Sequence, residues 1–167
     1  GQARQSAIFA AGGLEDLEGE ERTQENLFRY CMSLQVLAFA EHHQGNEEGA
    51  ELFAHFWLQA LEETFSVEKY PDGHFELAKG IASVGSVKSR LQKYEEAEQL
   101  FQRAITMYRK LREEPHAPAR DISYAEGLGG LAMCKLRQKK MDEAISLFRQ
   151  DIEILEGLVA QKASLKF

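Results

Sequence analysis

The sequence predicts an all-α array of three elongated helical hairpins, and three observations predict it. The first is a period. Stepping by 47 residues aligns Ala50 with Ala97 and Ala144, Leu34 with Ile81 and Leu128, Leu37 with Val84 and Leu131, and the small trio Ala38, Gly85 and Ala132. One period held over so many positions marks three stacked units of a single supersecondary type. The second is apolar spacing: Leu27, Phe28, Tyr30, Cys31, Leu34, Leu37 and Ala38 fall at three- and four-residue steps, the signature of a helix. The third is the lack of β-branched runs with period two, which leaves no strand to predict.

Residues 1–20 break the period and are set apart as an N-terminal tail or capping segment, leaving residues 21–167 as the repeat domain, with units near 22–69, 70–116 and 117–161. The first 20 residues combine a short helix candidate, Gln2–Ala11, a Gly12-Gly13 breaker and the acidic run Leu14–Glu21. A loosely held tail is the plain reading, and a cap or groove occupant built on Ile8, Phe9, Leu14 and Leu17 is the sharper one. In the first unit the periodicity runs from Glu21 to His43 and stops at Gly45-Asn46. Asn46 is a suitable N-cap for a second helix from Glu47 to about Val67, whose Glu47 and Glu48 suit the positive end of a helix dipole.

The stretch Tyr70-Pro71-Asp72-Gly73-His74 is a loop by composition. Helical spacing resumes over Phe75–Leu91, breaks at Gln92-Lys93, and returns over Tyr94–Arg112. A loop, Glu113–Arg120, carries Pro115 and Pro118. It leads to helices from about Asp121 to Arg137 and from Met141 to about Gln161.

Size and charge narrow the function. A chain of 167 residues is long enough for one continuous core, although each repeat should contact mainly its neighbours. A net charge of −7 disfavours a protein whose work is neutralising phosphates, so no nucleic-acid partner is expected. Cys31 and Cys134 lie in apolar helical contexts without metal-ligand spacing, which predicts buried thiols in a reducing, cytoplasmic-type compartment, an organelle matrix included. No apolar run approaches the roughly 20 residues of a membrane-spanning helix. The chain opens on Gly1, which leaves a longer parent, a processed chain or a cloning scar equally open.

In the second unit Ile81, Val84, Gly85, Tyr94, Ala97, Phe101 and Ala104 alternate large and small residues at fixed places, and Leu128, Leu131, Ala132, Met141, Ala144 and Phe148 repeat the pattern in the third. Here the chain resembles the tetratricopeptide repeats, over roughly residues 22–160 and most weakly in the first unit, where Ala54 and Trp57 exchange the large and small slots. The period exceeds the usual unit of about 34 residues. In that it is similar to the elongated repeats of kinesin light chains. Asp151 stands where the family places alanine, which is tolerable if no further hairpin packs there.

The resemblance implies a right-handed superhelical array whose first helices line a concave surface that binds a protein or peptide. By register the lining is Met32, Gln35, Val36, Phe39 and His43 in the first unit, Lys79, Ala82, Ser83, Ser86 and Arg90 in the second, and Glu126, Gly129, Gly130, Met133 and Arg137 in the third. Gly127, Gly129 and Gly130 cost about 1 kcal/mol each inside a helix. Gly127 aligns with Gly80 and suits helix packing; Gly129 and Gly130 are read as room for a bound peptide or helix, with packing inside the array as the alternative. The carboxylate clamp of chaperone-binding repeats is absent, since Gln35, Phe39, Ser83, Glu126 and Gly130 occupy its places, and the asparagine ladder of kinesin light chains is replaced by Val36, Ser83 and Gly130.

The basic residues Lys88, Arg90, Lys93, Lys135, Arg137, Lys139 and Lys140 cluster at predicted helix ends, either complementing helix dipoles or forming a rim for an acidic segment such as Glu15–Glu21. His42, His43, His55, His74 and His116 form no HExxH or paired i, i+4 ligand pattern, and no phosphate loop or nucleophile elbow occurs. A non-catalytic interaction scaffold without cofactor or metal is expected. The alternative is a self-associating or structural solenoid fragment, because Ile152, Leu155, Leu158 and Val159 of the last unit need a cover, which makes a homo-oligomer through the terminal repeat possible.

Overall fold

The computed structural model describes residues 23–112 and 118–164, and within them the chain forms six helices and no strand. The readings for residues 1–20, with Ile8, Phe9, Leu14 and Leu17, and for the loop around Pro115 and His116 lie outside the described residues. The helices are α1 (Gln24–His43), α2 (Glu47–Thr64), α3 (Phe75–Arg90), α4 (Tyr94–Arg112), α5 (Pro118–Arg137) and α6 (Met141–Ser164). They pair as three hairpins, α1 with α2, α3 with α4 and α5 with α6. The described residues gather into two compact units that divide between Lys69 and Tyr70.

Local chemistry sets the helix ends. Thr23 caps α1 through Oγ1, which accepts from the Asn26 amide at 3.2 Å, and Asn46 caps α2 by accepting from the Gly49 amide at 3.1 Å. His74 caps α3, its Nδ1 accepting from the Glu76 amide at 3.2 Å. Burial lowers the His74 pKa against the opposing charge of Glu76, which keeps that nitrogen unprotonated and able to accept. Helix α1 begins at Gln24 rather than Glu21 and α6 runs to Ser164 rather than about Gln161, and two further ends that differ from the sequence expectation have a local reason. Helix α2 stops at Thr64 rather than near Val67, because Phe65 leaves helical geometry to bury its ring edge-on to Phe28 at 6.3 Å. Helix α5 begins at Pro118 rather than Asp121, a first helical position where proline's missing N–H has no intrahelical partner to lose.

Each hairpin reverses through the same three-residue turn. Gly45, Gln92 and Lys139 sit 47 residues apart and all have positive φ, at 77°, 60° and 63°. The next amide reaches back to the helix it has left, Asn46 to the Glu41 carbonyl at 2.9 Å, Lys93 to Lys88 at 2.9 Å and Lys140 to Lys135 at 3.0 Å. The left-handed residue's own amide bonds three residues back, to His42, Ser89 and Leu136. This is the Schellman ending, which satisfies helix-end carbonyls that would otherwise lack a donor. The carbonyls of Asn46, Lys93 and Lys140 then accept from Ala50, Ala97 and Ala144, so one residue ends the turn and starts the next helix.

Small side chains let the paired helices approach. A Cβ on Gly85 would meet Leu100 at 3.4 Å and the Ala97 carbonyl and Phe101 ring at 3.5 Å. Around that contact Ile81, Val84, Ala97, Phe101, Ala104, Ile105 and Tyr108 are buried, together with Leu128, Leu131 and Ala132 of the following hairpin. Burial of each large side chain contributes about 1.5–3 kcal/mol. The loop before α3 is pinned to this core at Gly73, whose φ of 94° and contact with Met107, 2.5 Å from a would-be Cβ, leave no place for a side chain. In the first unit the exchanged pair Ala54 and Trp57 is fully accommodated: both are buried, and Trp57 meets Phe39 edge-on at 6.3 Å.

Only one of the three turn residues is the glycine that left-handed geometry favours. Gln92→Gly and Lys139→Gly should each stabilise the fold by about 1 kcal/mol, whereas Gly45→Ala should cost a similar amount although nothing lies within 4 Å of its would-be Cβ. Urea midpoints of the three variants test this.

Candidate functional site

In the second unit α3 and α5 are in contact, which brings two register-equivalent stripes onto neighbouring helices. On α3 the stripe is Lys79, Ala82, Ser83, Ser86 and Arg90, exposed at its charged ends and half-buried between them. Both hydroxyls are turned back on the helix, Ser83 donating to the Lys79 carbonyl at 3.0 Å and Ser86 to the Ala82 carbonyl at 3.2 Å. On α5 the stripe is Glu126, Gly129, Gly130, Met133 and Arg137, with Met133 42% exposed. Small residues thus form the floor. Lys79 and Glu126 stand at one end, with Arg90 and Arg137 at the other. The first unit carries its own stripe on α1, where Met32, Val36 and His43 are exposed and Gln35 and Phe39 half-buried.

The glycines behave differently from one another, and one expectation is corrected. A Cβ on Gly130 would lie 2.4 Å and 2.8 Å from the ring of buried Phe101, so the space left by this glycine is filled from inside the array and is not room for a ligand. Gly129 faces Asp151 of α6, whose Oδ2 is 3.2 Å from its would-be Cβ. Burial raises the Asp151 pKa. Gly127 has ordinary contact distances of 3.5 Å to Ile105 and 3.6 Å to Tyr108, so a methyl group would fit there.

The basic residues at the helix ends are largely engaged within the second unit. Lys88 pairs with Glu96 at 2.7 Å, and 47 residues on Lys135 pairs with Glu143 at 2.9 Å, a repeated bridge across the hairpin turn. Lys135 also reaches Glu98 of the preceding hairpin at 2.7 Å, where Lys140, at 3.4 Å, and the Gln138 amide join it. Arg137 donates to Ser89 Oγ at 3.1 Å. Burial alone would raise the Glu98 pKa, but hydrogen bonds from Lys135 and Gln138 outweigh it and hold the carboxyl below the usual carboxylate range. Glu98 is the residue that sequence reasoning missed. Its signal was the lysine and glutamate eight residues apart that recur across the second and third turns, which marks the bridge but not the glutamate of the neighbouring hairpin.

The cysteines are structural. Thr64 donates its hydroxyl hydrogen to the Ala60 carbonyl at 2.7 Å, so Cys31, 3.6 Å from Thr64 Oγ1, is the donor in their contact. Cys134 Sγ donates to the Tyr94 carbonyl at 3.5 Å. Burial raises both thiol pKa values and disfavours the reactive thiolate. Among the described residues no group of three or more His, Cys, Asp or Glu is arranged to hold a metal, and no helix is long and apolar enough to cross a membrane.

The spacing, the small-residue contacts and the repeated turn converge with a family comparison: residues 80–157, from within α3 to within α6, match the model of the tetratricopeptide repeat. This segment belongs to the tetratricopeptide-repeat family. Members of that family mediate protein–protein interaction and are typically non-catalytic. A comparison with curated proteins gave no match. The tetratricopeptide-repeat segment contains both stripes of the second unit except Lys79, and contains the Glu98 cluster entire.

Two outcomes follow from this geometry. Gly127→Ala should stabilise by up to about 1 kcal/mol through helix propensity, whereas Gly130→Ala should be destabilising by about 1–2 kcal/mol because the clash with Phe101 exceeds the same propensity gain; thermal unfolding of the pair decides it. Because the folded pKa of Glu98 is depressed, its contribution is present at neutral pH and is lost as pH falls below about 4.3, the unfolded value, and through the lower folded one. Glu98→Gln should therefore cost about 1 kcal/mol at pH 7 and progressively less in acid, as read from urea midpoints at pH 7 and pH 3.5.

Proposed function

We propose that this chain is a non-catalytic scaffold, an adaptor, assembly factor or regulatory subunit, whose α3 and α5 stripes take a peptide or helix of a partner protein. The observation that carries the reading is the combination on one face of a floor of small residues with exposed Met133 and two arginines at one end. On α3 the small residues Ala82, Ser83 and Ser86 admit another backbone closely, Met133 offers a polarizable apolar contact that adapts to its partner, and Arg90 and Arg137 suit an acidic group at the arginine end of the ligand. Gln35, Phe39 and the exposed Met32, Val36 and His43 of α1 are a separate candidate contact within the first unit, taken by itself. The buried thiols support a reducing compartment such as the cytoplasm. A displayed peptide library selected on the chain should yield binders whose affinity falls at least about tenfold on Met133→Asp, a substitution at an exposed position that leaves the thermal midpoint unchanged. Binders equally retained by Met133→Asp and Ser86→Arg would overturn the assignment of the face.

A further inference from the structure

The end of the second unit carries an internal control. Ile105 and Tyr108 of α4 are buried to 1% and 2% exposure in the unit where α5 packs against α4. Their counterparts 47 residues on, Ile152 and Leu155 of α6, are 53% and 42% exposed, and Leu136 of α5 is exposed where Ser89 of α3 is buried. Positions that the array covers with a helix internally are therefore bare on α6. Met141, Ile145, Phe148, Ile152, Leu155 and Val159 follow one another at steps of four, three, four, three and four residues, the spacing of a coiled-coil seam. Five of the six are among the exposed large apolar residues.

Charge along the edge of that seam points to the occupant. Asp142, Arg149 and Glu156 stand seven residues apart, alternate in sign and are exposed. When a second α6 runs antiparallel along the seam with Ile152 opposite the other copy's Leu155, the two-fold axis sets Arg149 of each copy beside Glu156 of the other. The register that instead sets Ile152 opposite Phe148 of the other copy brings the two Arg149 residues together and Asp142 against Glu156, so like charges oppose it. A lipid surface is disfavoured by the acidic flank of Asp142, Glu143, Glu153 and Glu156. The chain's net charge of −7 is no bar, since surface charges farther apart than about 8 Å are largely screened at physiological salt.

We infer that the exposed seam of α6 is a self-association surface on which a second copy of this chain docks antiparallel, its register selected by reciprocal Arg149–Glu156 pairs. The inference does not depend on the peptide-binding face, because α6 contributes none of the stripe residues. Sedimentation equilibrium of the 167-residue chain over about a hundredfold range of concentration, spanning micromolar dissociation constants, should show its mass rise from one chain to two. Ile152→Asp should hold it at one chain with an unchanged thermal midpoint, the position being exposed. Arg149→Glu should weaken association about tenfold, and Arg149→Glu combined with Glu156→Arg should restore it. A single-chain mass at every concentration, a dimer that survives Ile152→Asp, or a dimer indifferent to the charge reversal would each overturn the inference.

Discussion

Every hairpin depends on a chain reversal completed in three residues, and that reversal depends on one residue held in the left-handed region. The cost of placing glutamine or lysine there, about 1–2 kcal/mol, is offset because the turn closes two helix-end hydrogen bonds and its last carbonyl opens the next helix at Ala97 or Ala144. The alanines belong to the same device. They put small side chains at the first turn of the second helix, where in the second hairpin Gly85 lies 3.5 Å, measured from its would-be Cβ, from the Ala97 carbonyl. A turn of this kind repeated every 47 residues makes hairpins that share one register, and shared register lets α5 pack against α4 and α3 alike.

Between the second and third hairpins the packing has an apolar and a polar part. Phe101 fills the apolar part, and its ring needs Gly130 to lack a side chain. Glu98 gathers the polar part, taking Lys135, Gln138 and Lys140 from around the next turn. Exposed ion pairs contribute little, but Glu98 and Lys135 are mostly withdrawn from solvent and share several hydrogen bonds, so removing one leaves the others poorly satisfied. The same cluster uses up much of the positive charge that would otherwise form a basic rim. Arg90 and the partly engaged Arg137 are what the proposed binding face retains at its basic end.

Two different surfaces result from one repeated architecture. The stripes on α3 and α5 have small, half-buried residues between exposed charged ends, the face proposed for a partner's peptide or helix. The face of α6 is large-residue, apolar and exposed, suited to another helix. The difference arises from position in the unit: residues equivalent to Ile152 and Leu155 are covered within the second unit by α5, whereas α6 has no helix over it among the described residues. Asp151 belongs to that end as well, an acid where Ala104 stands one repeat earlier, with its carboxyl beside Gly129.

By itself the sequence determined the helices, their pairing and the repeat to which residues 80–157 belong. Helical spacing, turn chemistry and a 47-residue period are carried by residues near one another in the chain, and three copies of each signal reinforce it. The helix ends at Thr64 and Pro118 were less legible, since Phe65 leaves its helix for a contact with Phe28, far off in sequence, and an initial proline reads equally as loop. Only the tertiary structure decided whose space Gly130 leaves and where Lys135 points. Phe101 and Glu98 come from the preceding hairpin, and spacing along a chain does not say which side chain of one hairpin a residue of the next will meet.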